Sequence, residues 1–198
     1  MFRNLKKILI PAVLATLVLA VSAGAASAAL FHSAAEPTTI TATQSASHIY
    51  KFGEYQITCK VLALEGTQAI KTTESLTMKF GYPENCDMVI GGTLITVDAK
   101  ENGCHWLLQA SGSEKIECPA GQVVEFSISG CLWKVPPQTV KGVAYDNNGS
   151  QIDITWALTG ISYSYTGFIC GSGSAVNGTY QGTATAKGNA GLVKIWWE

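Results

Sequence analysis

The sequence predicts an all-β protein, folded as a single antiparallel β-sandwich or barrel-like domain of about nine to eleven strands. Short runs in which apolar and polar residues alternate recur throughout residues 49–198, and such alternation indicates half-buried strands. Turn residues, among them Asn-Gly pairs, separate these runs, and long stretches of strong helix formers are missing. Six cysteines lie in the same region, which favours a domain held together by disulfides.

The first 28 residues are predicted to be a secretory signal peptide. Three basic residues and no acidic one precede an apolar run from 8 to 22, and small residues ending in Ala26-Ser27-Ala28 follow. This order is typical of a cleaved leader, and the apolar run is short beside the roughly 20 residues of a membrane span. We therefore expect an exported protein, secreted or associated with the cell surface, and the alanine-rich leader favours a bacterial source.

Residues 29–48 are predicted to be a flexible lead-in to the domain. The stretch LFHSAAEPTTITATQSAS, residues 30–47, consists mostly of small and polar residues and has little periodic pattern. Without a repeating apolar face it offers little surface for a core. An irregular first strand is the alternative, and the sandwich domain itself is expected to span residues 49–198.

Several alternating runs predict the strands of the domain in order. Four of them lie at 55–61, 75–80, 91–98 and 124–129. The clearest unit is VAYDNNGSQIDITWAL, residues 143–158, in which the even-numbered apolar residues from Ile152 to Leu158 share one face. Asn148-Gly149 predicts the hairpin turn before that strand, because both residues accept positive φ. Asn102-Gly103 and Asn177-Gly178 repeat the turn signal, and GSGSAVNG from Gly171 is predicted to be a flexible turn.

The chain ends in KIWWE, which predicts a last strand with two different faces. Ile195 and Trp197 share an apolar face with Val193, whereas Trp196 shares its face with Lys194. The alternation therefore predicts that Trp197 packs in the core and that Trp196 is the more exposed of the two.

The six cysteines are predicted to form three disulfides, as expected of an exported protein. They are Cys59, Cys86, Cys104, Cys118, Cys131 and Cys170. Six cysteines allow fifteen connectivities. A zinc site is the alternative, but the sequence has no C-x-x-C pair of the kind such sites use.

Strand parity favours sequential pairing of the cysteines. Cys104 and Cys118 flank a predicted hairpin with a loop at 110–112, and that register sets Trp106 opposite Ile116. The two cysteines then lie at a spacing that a disulfide can bridge.

The other two pairs follow from the faces on which the cysteines fall. Cys131 and Cys170 each lie on a polar face, unless a bulge at Gly130 shifts the first, and they meet if their strands are neighbours. Cys59 and Cys86 then pair by elimination.

Charge excludes some classes of partner. Without the leader, ten basic residues remain against fourteen acidic ones, a net charge of about −4, and the only arginine is lost. Nucleic-acid binding needs a basic surface, so we expect no nucleic-acid partner. No second apolar run of membrane length occurs, so we expect no membrane span after leader removal.

Catalytic patterns are missing from the sequence, and we expect a protein that is not an enzyme and has no cofactor or metal. Only His32, His48 and His105 are available as histidine bases, and none has a partner signal in the sequence. Nucleophile-elbow, phosphate-loop, dinucleotide-binding and zinc-protease motifs do not occur. Scattered acids, for example Glu54 with Glu65, leave a secreted hydrolase as the less favoured alternative.

Four aromatic residues are candidate ligand contacts: Trp133, Tyr163, Tyr165 and Trp196. Aromatic faces are common contacts for sugars and peptides, although each of the four is more often core filler. The favoured function is a secreted, non-catalytic module that binds an extracellular polymer, a protein or a small ligand. The alternative is a structural surface or matrix component whose sheet edges pair with neighbours.

The sequence also resembles a loosely defined group of exported bacterial, β-rich proteins with six cysteines. The features that carry the resemblance are the leader, the spaced cysteines and the segments GCLWKVPPQ, GISYSYTGFIC and GTYQGTATAKG. The resemblance covers most of the chain after the leader. It implies a fold type and a compartment, and it carries over no active-site residues.

We expect the exported protein to begin near Ala29. Cleavage after Ala28 follows the Ala-x-Ala rule, and cleavage after Ala25 or Ala29 also satisfies it. Intact-mass spectrometry of the protein from culture supernatant is expected to show the leader missing. A full-length species extracted from the membrane contradicts the prediction.

Overall fold

The computed structural model describes residues 28–60, 62–81 and 85–198. The predicted signal peptide therefore falls almost entirely outside the described residues. Within them the chain is all-β, as predicted, with one short 3₁₀ turn at Asn189–Gly191 and no helix long and apolar enough to cross a bilayer. The described strands are β1 (Phe31–Ser33), β2 (Thr38–Phe52), β3 (Tyr55–Cys59), β4 (Ala63–Gln68), β5 (Thr72–Thr73), β6 (Ser75–Gly81), β7 (Cys86–Ile90), β8 (Thr93–Lys100), β9 (His105–Gln109), β10 (Ser113–Glu117), β11 (Val124–Ile128), β12 (Cys131–Val135), β13 (Gln138–Lys141), β14 (Val143–Asn148), β15 (Gln151–Gly167), β16 (Gly171–Gly188) and β17 (Ile195–Trp197).

Eight of these strands form a closed antiparallel barrel. The circuit runs β2-β16-β15-β12-β11-β8-β7-β3 and returns to β2 through the β2–β3 pairing. Because consecutive strands of each hairpin are antiparallel neighbours, the four tight turns at 53–54, 91–92, 129–130 and 168–170 lie at one end of the barrel. We call this end the mouth.

A second sheet leaves the barrel at β2. The first half of β2 pairs with β4 and the second half with β3, and the second sheet continues through β6, β9, β10 and β13. Only Gly142 separates β13 from β14, which pairs with the first half of β15. The second sheet thus returns to the barrel strands, and β2, β15 and β16 belong to both. A small sheet of β17, β1 and β5 packs against it through Phe31, which meets the Tyr145 ring edge-on at 4.9 Å.

A β-bulge in β15 lets one strand serve both sheets. Even-numbered residues from Ile152 to Leu158 are buried, whereas the buried residues after Gly160 are the odd-numbered Ile161 and Tyr163. The register with β16 shifts at this point, and Gly160 has φ +75°. Glycine adopts this conformation without a Cβ clash, and an inserted residue reverses the side-chain alternation.

The interpretation of residues 29–48 as a flexible lead-in is corrected. Residues 38–52 form a single strand that pairs with β16, β4 and β3, and Thr38, Ile40 and Ala42 are buried. The small side chains concealed the alternation, because Thr and Ala fill inward positions that larger apolar residues usually occupy. The domain therefore extends back to include residues 29–48.

Other details of the prediction also change. Of the two predicted architectures, sandwich and barrel-like, the structure has the barrel, and the seventeen strands of the described residues exceed the predicted nine to eleven. Asn177-Gly178 and the GSGSAVNG segment lie inside β16 rather than in turns. Cys131 is buried on the face of Trp133 and Val135, because the turn at 129–130 resets the parity.

The predicted disulfides are confirmed: Cys59–Cys86, Cys104–Cys118 and Cys131–Cys170. The hairpin between Cys104 and Cys118 has its loop at 110–112, and Trp106 lies opposite Ile116 as expected. Each disulfide joins strands or strand ends that the sheet pairing already brings together, so the bridges reinforce the barrel and the second sheet rather than replace a core.

The predicted inward face of the last strand is confirmed for Ile195 and Trp197, while the greater exposure of Trp196 stays a prediction, because both tryptophans are half-buried. Ile195 is buried, and Trp197 packs against the core, although it is half-buried rather than enclosed. The Trp197 indole nitrogen donates to the carbonyl oxygen of Ala110 at 3.0 Å. Trp196 is half-buried on the outer face, where it stacks on His32 at a centroid distance of 5.0 Å.

We expect Trp197→Ala to lower the free energy of unfolding by about 2–3 kcal/mol, somewhat below the range for a fully enclosed aromatic. Trp196→Ala is expected to cost about 1 kcal/mol, because its ring packs mainly on His32 at the surface. Guanidinium melts of the two variants at one pH compare these costs. A larger loss for Trp196→Ala contradicts the assignment of the inward face.

Candidate functional site

A concave pocket of about 390 Å³ lies at the mouth of the barrel. It lies where the β2–β3 turn meets strands β12, β15 and β16, and half of its lining residues are aromatic. We call it the mouth pocket; its lining residues are Phe52, Gly53, Glu54, Tyr55, Trp133, Tyr163, Tyr165, Cys170, Ala175 and Asn177.

Backbone pairing brings the aromatic residues of the mouth pocket together. Phe52 and Tyr55 are partners across the tight turn at Gly53 and Glu54, and Trp133 of β12 is the partner of Tyr165 in β15. Gly53 has φ +63°, and a Cβ there would lie 3.5 Å from the Tyr163 hydroxyl. A Cβ at that distance would be in ordinary contact, so the positive φ of the tight reversal, and not the space beside the tyrosine, favours glycine here.

The aromatic residues form a floor and two walls. Trp133 and Tyr163 are only 1% and 5% exposed and make the floor. Tyr55 and Tyr165 are half-buried: the Tyr55 ring lies 5.2 Å from that of Trp133, and the Tyr165 ring 6.0 Å from that of Tyr163. The accessible aromatic surface of the mouth pocket thus belongs to the two walls, and the floor holds them in place.

Two of the three tyrosine hydroxyl groups of the mouth pocket are engaged with the protein. The Tyr163 hydroxyl donates to Asn177 Oδ1 at 3.1 Å, and the Tyr55 hydroxyl donates to the Ile169 carbonyl oxygen at 3.3 Å. Desolvation raises the pKa of Tyr163, so its hydroxyl remains a donor. Among the described residues of the lining, only Glu54 carries a formal charge, and its side chain is exposed.

The tip of the β15–β16 hairpin is fastened beside the mouth pocket. The Cys131–Cys170 disulfide joins the tip to the start of β12, and the Ile169 amide donates to the Gly130 carbonyl oxygen at 3.1 Å. Phe168 is 86% exposed, yet its ring lies against Gly130, where a Cβ would come within 2.4 Å of it. The tip is therefore held by covalent, polar and apolar contacts.

Three of the four aromatic residues singled out in the sequence meet in the mouth pocket, namely Trp133, Tyr163 and Tyr165. Trp196 lies instead in β17, where it stacks on His32 with Lys194 Nζ 5.4 Å from its ring.

Sequence reasoning missed three further residues of the mouth pocket: Glu54, Tyr55 and Asn177. The signal for the first two was the single glycine between two alternating runs, which is the pattern of a hairpin once residues before 49 are read as a strand.

A buried carboxyl group lies between the barrel and the second sheet. Glu114 of β10 is 1% exposed, and the Trp156 indole nitrogen donates to Glu114 Oε2 at 2.6 Å. Burial raises the pKa of Glu114 to about 8, and the bond from Trp156 only partly offsets that shift. Glu114 also lines an internal cavity of about 20 Å³, room for about one water molecule.

A buried histidine lies near the same junction. The His48 side chain bonds through Nδ1 to the Tyr180 hydroxyl and through Nε2 to the Thr183 carbonyl oxygen at 3.2 Å. Because the carbonyl oxygen only accepts, Nε2 carries the proton and Nδ1 accepts from Tyr180. Desolvation lowers the pKa of His48 to about 4. Gly182 leaves the necessary space, since a Cβ there would lie 2.4 Å from His48 Nδ1.

The remaining titratable groups do not assemble a reaction centre in the described part of the chain. His105 Nε2 lies 3.2 Å from Glu117 Oε2 in a half-exposed cross-strand pair, and Lys115 Nζ lies 2.5 Å from the other oxygen of that carboxylate. His32 Nε2 lies 3.3 Å from Glu198 Oε1. Within residues 28–60, 62–81 and 85–198, no three His, Cys, Asp or Glu side chains group as metal ligands would.

Comparison with protein-family models, with curated proteins and with solved structures finds no match for this chain. The kind of ligand that the mouth pocket could bind is therefore inferred from the residues that line it. They offer aromatic surface and one carboxylate in a concave setting.

We expect the contribution of Glu114 to the stability of the protein to fall as the pH rises from about 4.5 to 8. The folded state holds its proton up to a pKa of about 8, whereas the unfolded carboxyl releases it near its ordinary value of 4.5. The stabilisation by the protonated Glu114 carboxyl group is therefore complete below the pKa of the unfolded state, 4.5. It is lost as the pH rises through the pKa of the folded state, about 8, a change of up to about 5 kcal/mol in the free energy of unfolding.

Glu114→Gln isolates this contribution, since it keeps an oxygen for Trp156 but does not titrate. We expect the variant to gain in stability relative to the parent between pH 5 and pH 8, measured by guanidinium melts. Glu65→Gln, at an exposed carboxylate of β4, is the control. Protonation of His48 acts in the opposite direction, because it lowers the stability of the protein as the pH falls below about 6.5. It affects the parent and the variant equally, so it cancels in the comparison. A difference between parent and Glu114→Gln that does not change with pH contradicts the prediction.

Proposed function

We propose that this protein is an exported, non-catalytic binding module and that the mouth pocket holds its ligand. The observation that carries the proposal is the convergence of Tyr55, Trp133, Tyr163 and Tyr165 around one concave site. Ligand sites in proteins are typically concave, largely apolar and supplied with a few polar groups that orient the ligand. The mouth pocket has this composition, with Glu54 and Asn177 as the polar groups at its rim.

Two features support export. The first 28 residues have the charge, apolar and small-residue order of a signal peptide. Three disulfides occur in the folded part of the chain, and disulfides form and persist mainly in oxidising compartments.

Closure of the barrel supports ligand binding over a role in which sheet edges pair with neighbouring molecules. Each of the eight barrel strands has a partner on both sides over at least part of its length, so none of them is a free edge strand of the barrel. A closed and cross-linked barrel also fixes the walls of the mouth pocket before the ligand arrives, which lowers the entropy cost of binding.

The proposal predicts where ligands bind. In a screen of extracellular sugars, peptides and small metabolites by ¹⁵N-edited NMR, we expect shift changes of any hit to centre on Tyr55, Tyr165 and Asn177. Ala175→Leu is expected to fill the half-buried wall of the mouth pocket and weaken a hit at least about tenfold, or about 1.4 kcal/mol. Ala144→Leu, at an exposed position in β14, is the matched control and is expected to leave binding unchanged.

Ligands whose shift changes lie away from the mouth, or that bind Ala175→Leu with unchanged affinity, contradict the assignment of the site. A screen in which no class of compound perturbs the mouth residues sinks the proposed function.

A further inference from the structure

We infer that the mouth pocket recognises an organic ammonium group, and a methylated one in particular, carried by a small molecule. The inference rests on the proposed function, because it names the ligand class of the same site.

The accessible surface is aromatic on two sides. Tyr55 and Tyr165 are half-buried walls held from behind by Trp133 and Tyr163. Aromatic faces carry partial negative charge and attract cations, and several rings around one space are the usual setting for quaternary ammonium recognition. The rings are fixed by strand pairing and by the buried floor, so this surface does not need to form when the ligand enters.

Charge in the mouth pocket points the same way. Of the described residues that line it, Glu54 alone is charged, and no Lys or Arg is among them. A carboxylate at the rim adds attraction for a cation and opposes an anionic ligand. A phosphate or carboxylate ligand would lack a counter-charge in this lining.

Hydrogen bonding separates an ammonium ligand from a neutral sugar. The hydroxyl groups of Tyr55 and Tyr163 already donate to the Ile169 carbonyl oxygen and to Asn177 Oδ1. A sugar brings many hydroxyl groups, and each one buried without a partner costs free energy. A trimethylammonium group brings no donor of that kind, and its methyl groups suit an apolar wall. The volume of about 390 Å³ lies at the lower end of the range for small-molecule pockets.

The decisive comparison is between choline and 3,3-dimethylbutan-1-ol, which has the same shape but no charge. We expect choline to bind with shift changes at Tyr55 and Tyr165 in ¹⁵N-edited NMR, and the neutral analogue to bind at least about tenfold more weakly. Equal affinity for the two compounds, or no response to choline up to high millimolar concentration, overturns the inference.

Matched variants test the residues. Tyr165→Leu is expected to weaken choline binding about tenfold, and Glu54→Gln about threefold, as expected for an exposed charge. Trp196→Leu, a half-buried aromatic outside the mouth pocket, and Glu65→Gln, an exposed acid of β4, are expected to leave it unchanged. Thermal melts confirm that each variant is folded. Equal losses in the control variants overturn the inference.

The outcome also separates the inference from the proposed function. A neutral sugar or a peptide that binds at the mouth while choline does not overturns the ammonium assignment and leaves the binding module intact. Binding of phosphatidylcholine vesicles without any response to free choline identifies a lipid surface instead of a small molecule and also overturns it.

Discussion

Backbone hydrogen bonding along β2, β15 and β16 is the constraint on which the rest of the structure depends. These strands are the longest in the described chain, and each contributes one half to the barrel and the other half to the second sheet. Neither sheet therefore exists without them, and the junction between the sheets is their shared middle. The buried polar groups of His48, Tyr180 and Trp156 lie along these same strands, where the inward faces of the two sheets meet.

The bulge at Gly160 connects this constraint to the mouth pocket. Without the inserted residue, the alternation set by Ile152, Ile154 and Trp156 would continue, and Tyr163 and Tyr165 would face outward. With the inserted residue, both tyrosines lie on the same face of the sheet as Trp133, which is the partner of Tyr165 in the neighbouring strand β12. Tyr163 of the floor and Tyr165 of one wall thus depend on a single residue of positive φ. The other wall, Tyr55, depends on the tight turn at Gly53, which also has a positive φ.

The alternation of apolar and polar residues and the turn residues predicted many of the strands and hairpins of this fold. They did not predict which strands that are distant in the sequence pair with each other. Alternation identified the inward face of β15 up to Leu158, and the hairpin between Cys104 and Cys118 followed from turn length and parity. The pairing of β2 with β16 and of β12 with β15 depends on partners that no local pattern specifies. The same limit applies to the mouth pocket: its tyrosines were recognisable as aromatic residues, but Glu54 joins them only through the fold.

The pairing of β2 with β16 has a consequence for when the protein can fold. Tyr50 of β2 lies opposite Tyr180 of β16, so the barrel closes between strands that are far apart in the chain. Contacts of such sequence separation form slowly, because a long loop must close before they stabilise anything. A chain that emerges N-terminus first holds β2 with one edge open until the last residues arrive. Its exposed strand edge during that interval is an aggregation risk.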